Sequence, residues 1–157
     1  LRAGSKLHVY RHICTTKSLL KGDKMRIVGI IGPYFSGGDR RLIDHNIANA
    51  QYLAIKIANY FSGSMLVGFF CPHLHTARFE KLAGAKEEYY HTLDDAIYDL
   101  ACEAFVLLPG WENSQGSRRD CERAKNKKKL IFELPSYESS DIDSFLMTLF
   151  EWACKPV

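Results

Sequence analysis

At 157 residues, with 46% hydrophobic and 25% charged side chains, the chain is long enough for one sizeable core and too short for two. That balance excludes disorder, collagen-like repeats and coiled coil. The longest apolar stretch, Met65 to Cys71, falls far short of the roughly 20 residues that a membrane-spanning helix needs. The formal net charge of +3 belongs to the N-terminal end, since residues 1–24 hold six Lys or Arg and one acid, leaving fifteen basic against seventeen acidic residues in 25–157; neither a membrane nor a nucleic acid is an expected partner.

Residues 1–24 read as an N-terminal extension ahead of a domain at 25–157. The segment opens on Leu1 and is basic, acid-poor and rich in Ser and Thr. It fits an engineered or upstream-translated remnant, an added edge strand through LHVYRHI, or an organelle-targeting stretch. Five widely spaced cysteines (Cys14, Cys71, Cys102, Cys121, Cys154) include no CxxC pair and follow no signal-peptide core. Reduced thiols in a soluble, cytoplasmic protein are the expectation.

From Met25 to Ile31 a nearly continuous β-branched run stops at Gly32-Pro33, as a strand buried on both faces would. After the loop GPYFSGGD, apolar residues at Ile43, Ile47, Ala50, Ala54, Ile57 and Phe61 mark one face of a long helix that ends near Ser62-Gly63. A second strand over Met65–Cys71 ends at Pro72. A helix is predicted from about Tyr89 to Cys102, with Thr92 as its cap and Leu93, Ile97 and Leu100 on its inner side. A third strand, Ala104–Leu108, runs into Pro109-Gly110 and the loop GWENSQG. A helix over Ser117–Lys128, a strand LIFEL and a terminal helix over Ser140–Cys154 complete the chain. Alternating strands and helices with short connections imply an α/β three-layer sandwich: a parallel, flavodoxin-like or Rossmann-like sheet of four to five strands with helices on both faces. In such sheets ligands bind beyond the carboxyl ends of the strands, which singles out GPYFSGGD, CPHLHTA and PGWENSQGS.

The third of these loops carries the most chemistry. Ser114, Gly116 and Ser117 put small side chains and free backbone N–H groups at a helix start, a natural anion cradle. Asp120 is expected in the first turn, where it can close a capping box with Ser117 or act as a catalytic carboxylate. Asp94, Asp95 and Asp99 form a second acidic group, either solvated or aimed at the same cleft. Cys71, His73 and His75 raise a metal site, but zinc wants a fourth ligand or an open position with outer support, and no further cluster is evident. The preferred reading keeps His73 as a cleft residue, with no metal and no cofactor.

The order GP-x-F-S, N-I-x-x-A, CPH-L-x-T-A and LPGWENS-x-G-S-x-x-D, over about residues 26–133, resembles the nucleoside 2-deoxyribosyltransferase-like superfamily. The nearest branch carries an LPGWE-x-S-x-GA segment and is related to the 2-deoxynucleoside 5-monophosphate N-hydrolases. The resemblance implies cleavage or transfer at the N-glycosidic bond of a nucleoside or nucleoside 5-monophosphate, in a homo-oligomer. It assigns the nucleophile to Asp120, four residues after Gly116, and a second carboxylate to Asp95, eight residues before Glu103. Ser114 is implied as a phosphate holder, and Tyr34, Phe35 and Ser36 as contacts to sugar, base or phosphate. One departure is that Asp120 stands where the family carries Glu, shorter by one methylene, roughly 1.5 Å of reach. A non-catalytic nucleotide-binding module with the same cleft is the alternative reading.

Overall fold

The structure is a computed structural model and describes residues 24–79 and 82–156; the expectation for residues 1–24 falls, but for Lys24, outside them. Strands β1 (Arg26–Ile31), β2 (Val67–Phe70), β3 (Cys102–Leu107) and β4 (Leu130–Glu133) form an all-parallel sheet in the order β2-β1-β3-β4. The helices are α1 (Arg40–Phe61), the single turn α2 (Pro72–His75), α3 (Glu87–Ala101), α4 (Gln115–Asn126) and α5 (Ser139–Ala153). The expected α/β sandwich is the observed fold, with four strands among the described residues.

Strand alternation divides the core in two. Val28 and Ile30 of β1, with Ala104 and Val106 of β3, face α1 and α5 and meet Leu53, Ile57, Ile142 and Leu149 there. Ile31, Phe105 and Leu107 face the other way, against Tyr98 of α3 and Cys121 and Ala124 of α4. Both sheet faces are thus covered, the usual condition for an all-parallel sheet. Helix α1 begins where Asp39 accepts hydrogen bonds from the N–H groups of Arg41 and Leu42, at 2.8 and 3.5 Å. At the opposite end of the sheet, Arg26 pairs with Glu103 at 2.9 Å, lies 3.9 Å from the Trp152 ring centroid and donates to the Trp152 carbonyl at 2.9 Å. The first strand and the last helix are clamped together there.

Three expectations need correction. Helix α3 turns Tyr98 inward, while Leu100 is 88% exposed and Leu93 and Ile97 are only half-buried. The cause lies in β1. A Cβ at Gly29 would sit 2.6 Å from the Phe105 ring and 3.1 Å from the Tyr98 ring, so the missing side chain makes room for both aromatics. Tyr98 fills that room, edge-on to Phe70 and Phe105. Thr92 caps nothing, because α3 already begins at Glu87; its hydroxyl donates to the Glu88 carbonyl within the helix. Finally, Cys71, Cys102 and Cys121 are free and buried, but Cys154 is disulfide-bonded, against the expectation of reduced thiols. Spacing alone carries no pairing information. Among the described residues no helix is long and apolar enough to cross a membrane.

Candidate functional site at the ends of β1 and β3

The chain leaves β1 toward β2 on one side and later returns to β3 on the other, so the loops after β1 and β3 diverge at this point of the sheet. The Leu108 N–H donates to the Ile31 carbonyl at 2.8 Å, holding the two loop bases together. In the first loop Ser36 has φ 44, a left-handed conformation unusual for a residue with a side chain. Asn46 of α1 secures it, donating to Ser36 Oγ at 2.9 Å and to the Tyr34 carbonyl at 3.1 Å. The Tyr34 hydroxyl accepts from the Arg78 N–H at 2.7 Å, and its ring stands edge-on to His73. Phe35 is 60% exposed.

His73 is buried, and its Nε2 lies 2.7 Å from the Pro33 carbonyl. A carbonyl only accepts, so Nε2 carries the proton and Nδ1 is left as a buried acceptor with no partner among the described residues. Burial lowers the pKa of the ring and keeps it neutral. His75 points elsewhere, exposed and edge-on to Phe70. Among the described residues no group of three His, Cys, Asp or Glu side chains comes together to hold a metal ion.

After β3, Gly110 with φ 83 turns the chain into a short 3-10 turn, Trp111–Asn113. Ser114, not Ser117, then caps α4, its Oγ accepting from the Ser117 N–H at 3.3 Å. Gly116 is exposed, whereas Ser117 is 3% exposed and its Oγ has no hydrogen-bond partner among the described residues. Arg118 is tied back to the Glu112 carbonyl at 2.7 Å. The earlier start of α4 puts Asp120 at the sixth helical position, too far along to close a capping box, and the expected first-turn location is corrected accordingly.

Helices α3 and α4 meet through a ladder of charges. His91, Asp95 and Asp99 recur every four residues on one side of α3, and Arg119, Arg123 and Lys127 do the same on α4. Arg119 donates to His91 Nδ1 at 2.9 Å and to Asp95 at 2.6 Å. Arg123 lies 3.5 Å from Asp95 and 2.7 Å from Asp99, and Lys127 lies 3.4 Å from Asp99. The same Arg119 guanidinium reaches Asp120 at 3.3 Å, so Asp95 and Asp120 stand either side of one cation.

The electrostatics separate these acids. Burial pushes Asp120 up to about 6, outweighing the opposing pull of Arg119, with Asp95 and Asp94 adding to the rise. Asp94 is likewise pushed up to about 6, chiefly by burial, and its Oδ1 is sealed without a partner among the described residues. Asp99 moves the other way, its pKa lowered mainly by the hydrogen bond from Arg123. Beneath them the Tyr98 hydroxyl is buried and unpartnered among the described residues, and burial with the nearby Asp120 and Asp94 charges raises its pKa well above the usual value. A carboxyl group that holds its proton near neutrality beside another titrating in the same range is the environment acid–base and nucleophilic chemistry uses.

The fold therefore gathers Asp95, Asp120 and Tyr98 between α3 and α4, and Tyr34, Ser36 and His73 along the first loop, with Ser114, Gly116 and Ser117 at the helix start after β3. Tyr98 was missed from sequence; Asn46 entered only as part of the N-I-x-x-A segment, and Arg119 only as a candidate phosphate partner, not as the cation between two carboxylates. The four-residue spacing of both charge series was the available signal for Arg119, and Gly29 within an apolar strand was the signal for Tyr98. A shallow hollow of about 180 Å³ lies away from this cluster, lined by Phe132, Asp141, Phe145 and neighbours at the β4–α5 edge; no carboxylate of the α3–α4 cluster lines it. No protein-family model, curated protein or solved structure matches the chain.

Proposed function

We propose that the protein cleaves, or transfers across, the N-glycosidic bond of a nucleoside or nucleoside 5-monophosphate. The observation that carries this reading is Asp120, a carboxylate largely withdrawn from water on the helix that follows β3, with further carboxyl groups beside it on α3. Breaking an N-glycosidic bond develops positive charge on the sugar. A carboxylate at that point stabilises the cation or captures it as a glycosyl ester, while a second acid protonates the departing base. The start of α4, with Gly116 and the Ser114 and Ser117 hydroxyls, is suited to a phosphate. The PGWENS segment and its companions, which resemble the nucleoside 2-deoxyribosyltransferase-like superfamily, support the same chemistry.

A second reading, a nucleotide-binding module without turnover, draws on Arg119, which engages both Asp95 and Asp120, and on the short reach of Asp compared with Glu. One experiment separates them. The protein is incubated with a panel of nucleosides and their 5-monophosphates, and free base is sought by chromatography, with Asp120→Ala alongside. Base release by the wild type and not by the variant supports the enzyme. Nucleotide binding without release supports the module, and neither result would leave both readings without support.

A further inference from the structure

Asp94 and Asp95 are adjacent in α3 but face different neighbours. Asp95 points at α4, where its carboxylate contacts Arg119 at 2.6 Å and Arg123 at 3.5 Å. It is one rung of a ladder that continues to Asp99 and ends at Lys127. Asp94 lies one helical turn before Tyr98 and so shares that residue's inward side. Its Oδ1 is buried with no hydrogen-bond partner among the described residues, as are the Tyr98 hydroxyl and Asp95 Oδ1, which has only the 3.5 Å ion pair with Arg123. The residue as a whole stays partly exposed.

The Asp95 carboxylate is engaged by two guanidinium groups, whereas Asp94 makes no ion pair among the described residues. An acid with one sealed oxygen and no cation in hydrogen-bonding contact retains its proton. On that geometry we propose that Asp94, and not Asp95, protonates the departing base, and that Asp95 is a positioning residue that fixes α3 against α4. The assignment rests on the glycosidic reading above, and the burial that pushes Asp94 up to about 6 is consistent with it. In the forward step an Asp120 oxygen bonds to the anomeric carbon as the carbon–nitrogen bond breaks. The electron pair of that bond goes to the base nitrogen, which takes the proton from Asp94. In the return step the oxygen of water, or the nitrogen of a second base, bonds to the anomeric carbon. Asp94 recovers its proton from that nucleophile, and Asp120 leaves as the carboxylate.

The test uses the full chain and the amide variants Asp94→Asn and Asp95→Asn, with 2-deoxyguanosine and 7-methyl-2-deoxyguanosine and their 5-monophosphates as probes. The methylated base departs neutral and needs no proton. Asp94→Asn is expected to slow release of guanine by about 100-fold or more and release of 7-methylguanine by less than about tenfold. Asp95→Asn should slow both to a similar extent and lower the melting temperature, whereas Asp94→Asn should melt no lower than the wild type. Equal loss on both bases in Asp94→Asn, or a loss confined to guanine in Asp95→Asn, would overturn the assignment and leave the glycosidic reading standing. A wild-type chain that releases neither base, nor any from a wider nucleoside panel, overturns that reading and the assignment together.

Discussion

Replacing Asp120 by Asn should stabilise the protein in a pH-dependent manner. In the folded chain Asp120 holds its proton up to about pH 6, against an ordinary value of 3.8. Between those values the folded state binds more protons than the unfolded one, so this residue's contribution to stability falls as pH rises from about 4 to about 6. Below that window the carboxyl is protonated in both states and contributes nothing; above it the penalty is complete. Two pKa units at about 1.4 kcal/mol each make the full penalty about 3 kcal/mol. Asn has nearly the same shape and no charge, so Asp120→Asn removes the penalty. It also gives up the 3.3 Å contact with Arg119, a small loss because that guanidinium keeps Asp95 and His91. Urea unfolding of both proteins at pH 4, 6 and 8 provides the measurement. The variant should be more stable by about 2–3 kcal/mol at pH 8, roughly 10 °C in melting temperature for a domain of this size, and indistinguishable at pH 4. A difference that does not change with pH, or a variant less stable at pH 8, would show that burial does not govern this carboxyl.

Gly29→Ala would push a methyl group to 2.6 Å from the Phe105 ring, which is packed between Tyr98 and the sheet. It is expected to cost about 1–3 kcal/mol by urea unfolding, with a changed near-ultraviolet circular dichroism signal from the displaced aromatics; a neutral result would mean that α3 lifts freely from the sheet. Ser114→Ala removes the cap of α4 and should cost about 1 kcal/mol, whereas Ser117→Ala, which deletes a buried hydroxyl with no partner among the described residues, should be neutral or stabilising. The opposite ranking would restore Ser117 as the capping residue.

The apolar runs ending at Gly32, Pro72 and Pro109 were legible as strands because a strand buried on both faces has few other sequence solutions. The long face of α1 was equally plain. Legibility failed where two readings differed by less than one helical turn. Leu93, Ile97 and Leu100 form an acceptable apolar side, and only the room above Gly29 selects Tyr98 instead. Ser114 and Ser117 both suit a cap, and the 3-10 turn before them decides which one the helix starts from. Likewise Asp94 and Asp95 are interchangeable in sequence, while about 100° of helical rotation sends one under the sheet end and the other into the charge ladder. That ladder has a regularity a sequence reader could have used: His91–Arg119, Asp95–Arg123 and Asp99–Lys127 share one constant offset along the chain. Two helices running parallel to each other produce that offset.

The Arg26 clamp has a practical side. It joins the base of β1 to the last turn of α5, so the C-terminal residues lie at the edge of the sheet furthest from the loops after β1 and β3. A reporter attached at Lys155 therefore sits at the end of the sheet away from the loops after β1 and β3. The same clamp is the place to avoid when altering the chain, because losing Trp152 would strip Arg26 of an aromatic partner and a carbonyl while leaving Asp94, Asp95 and Asp120 in place.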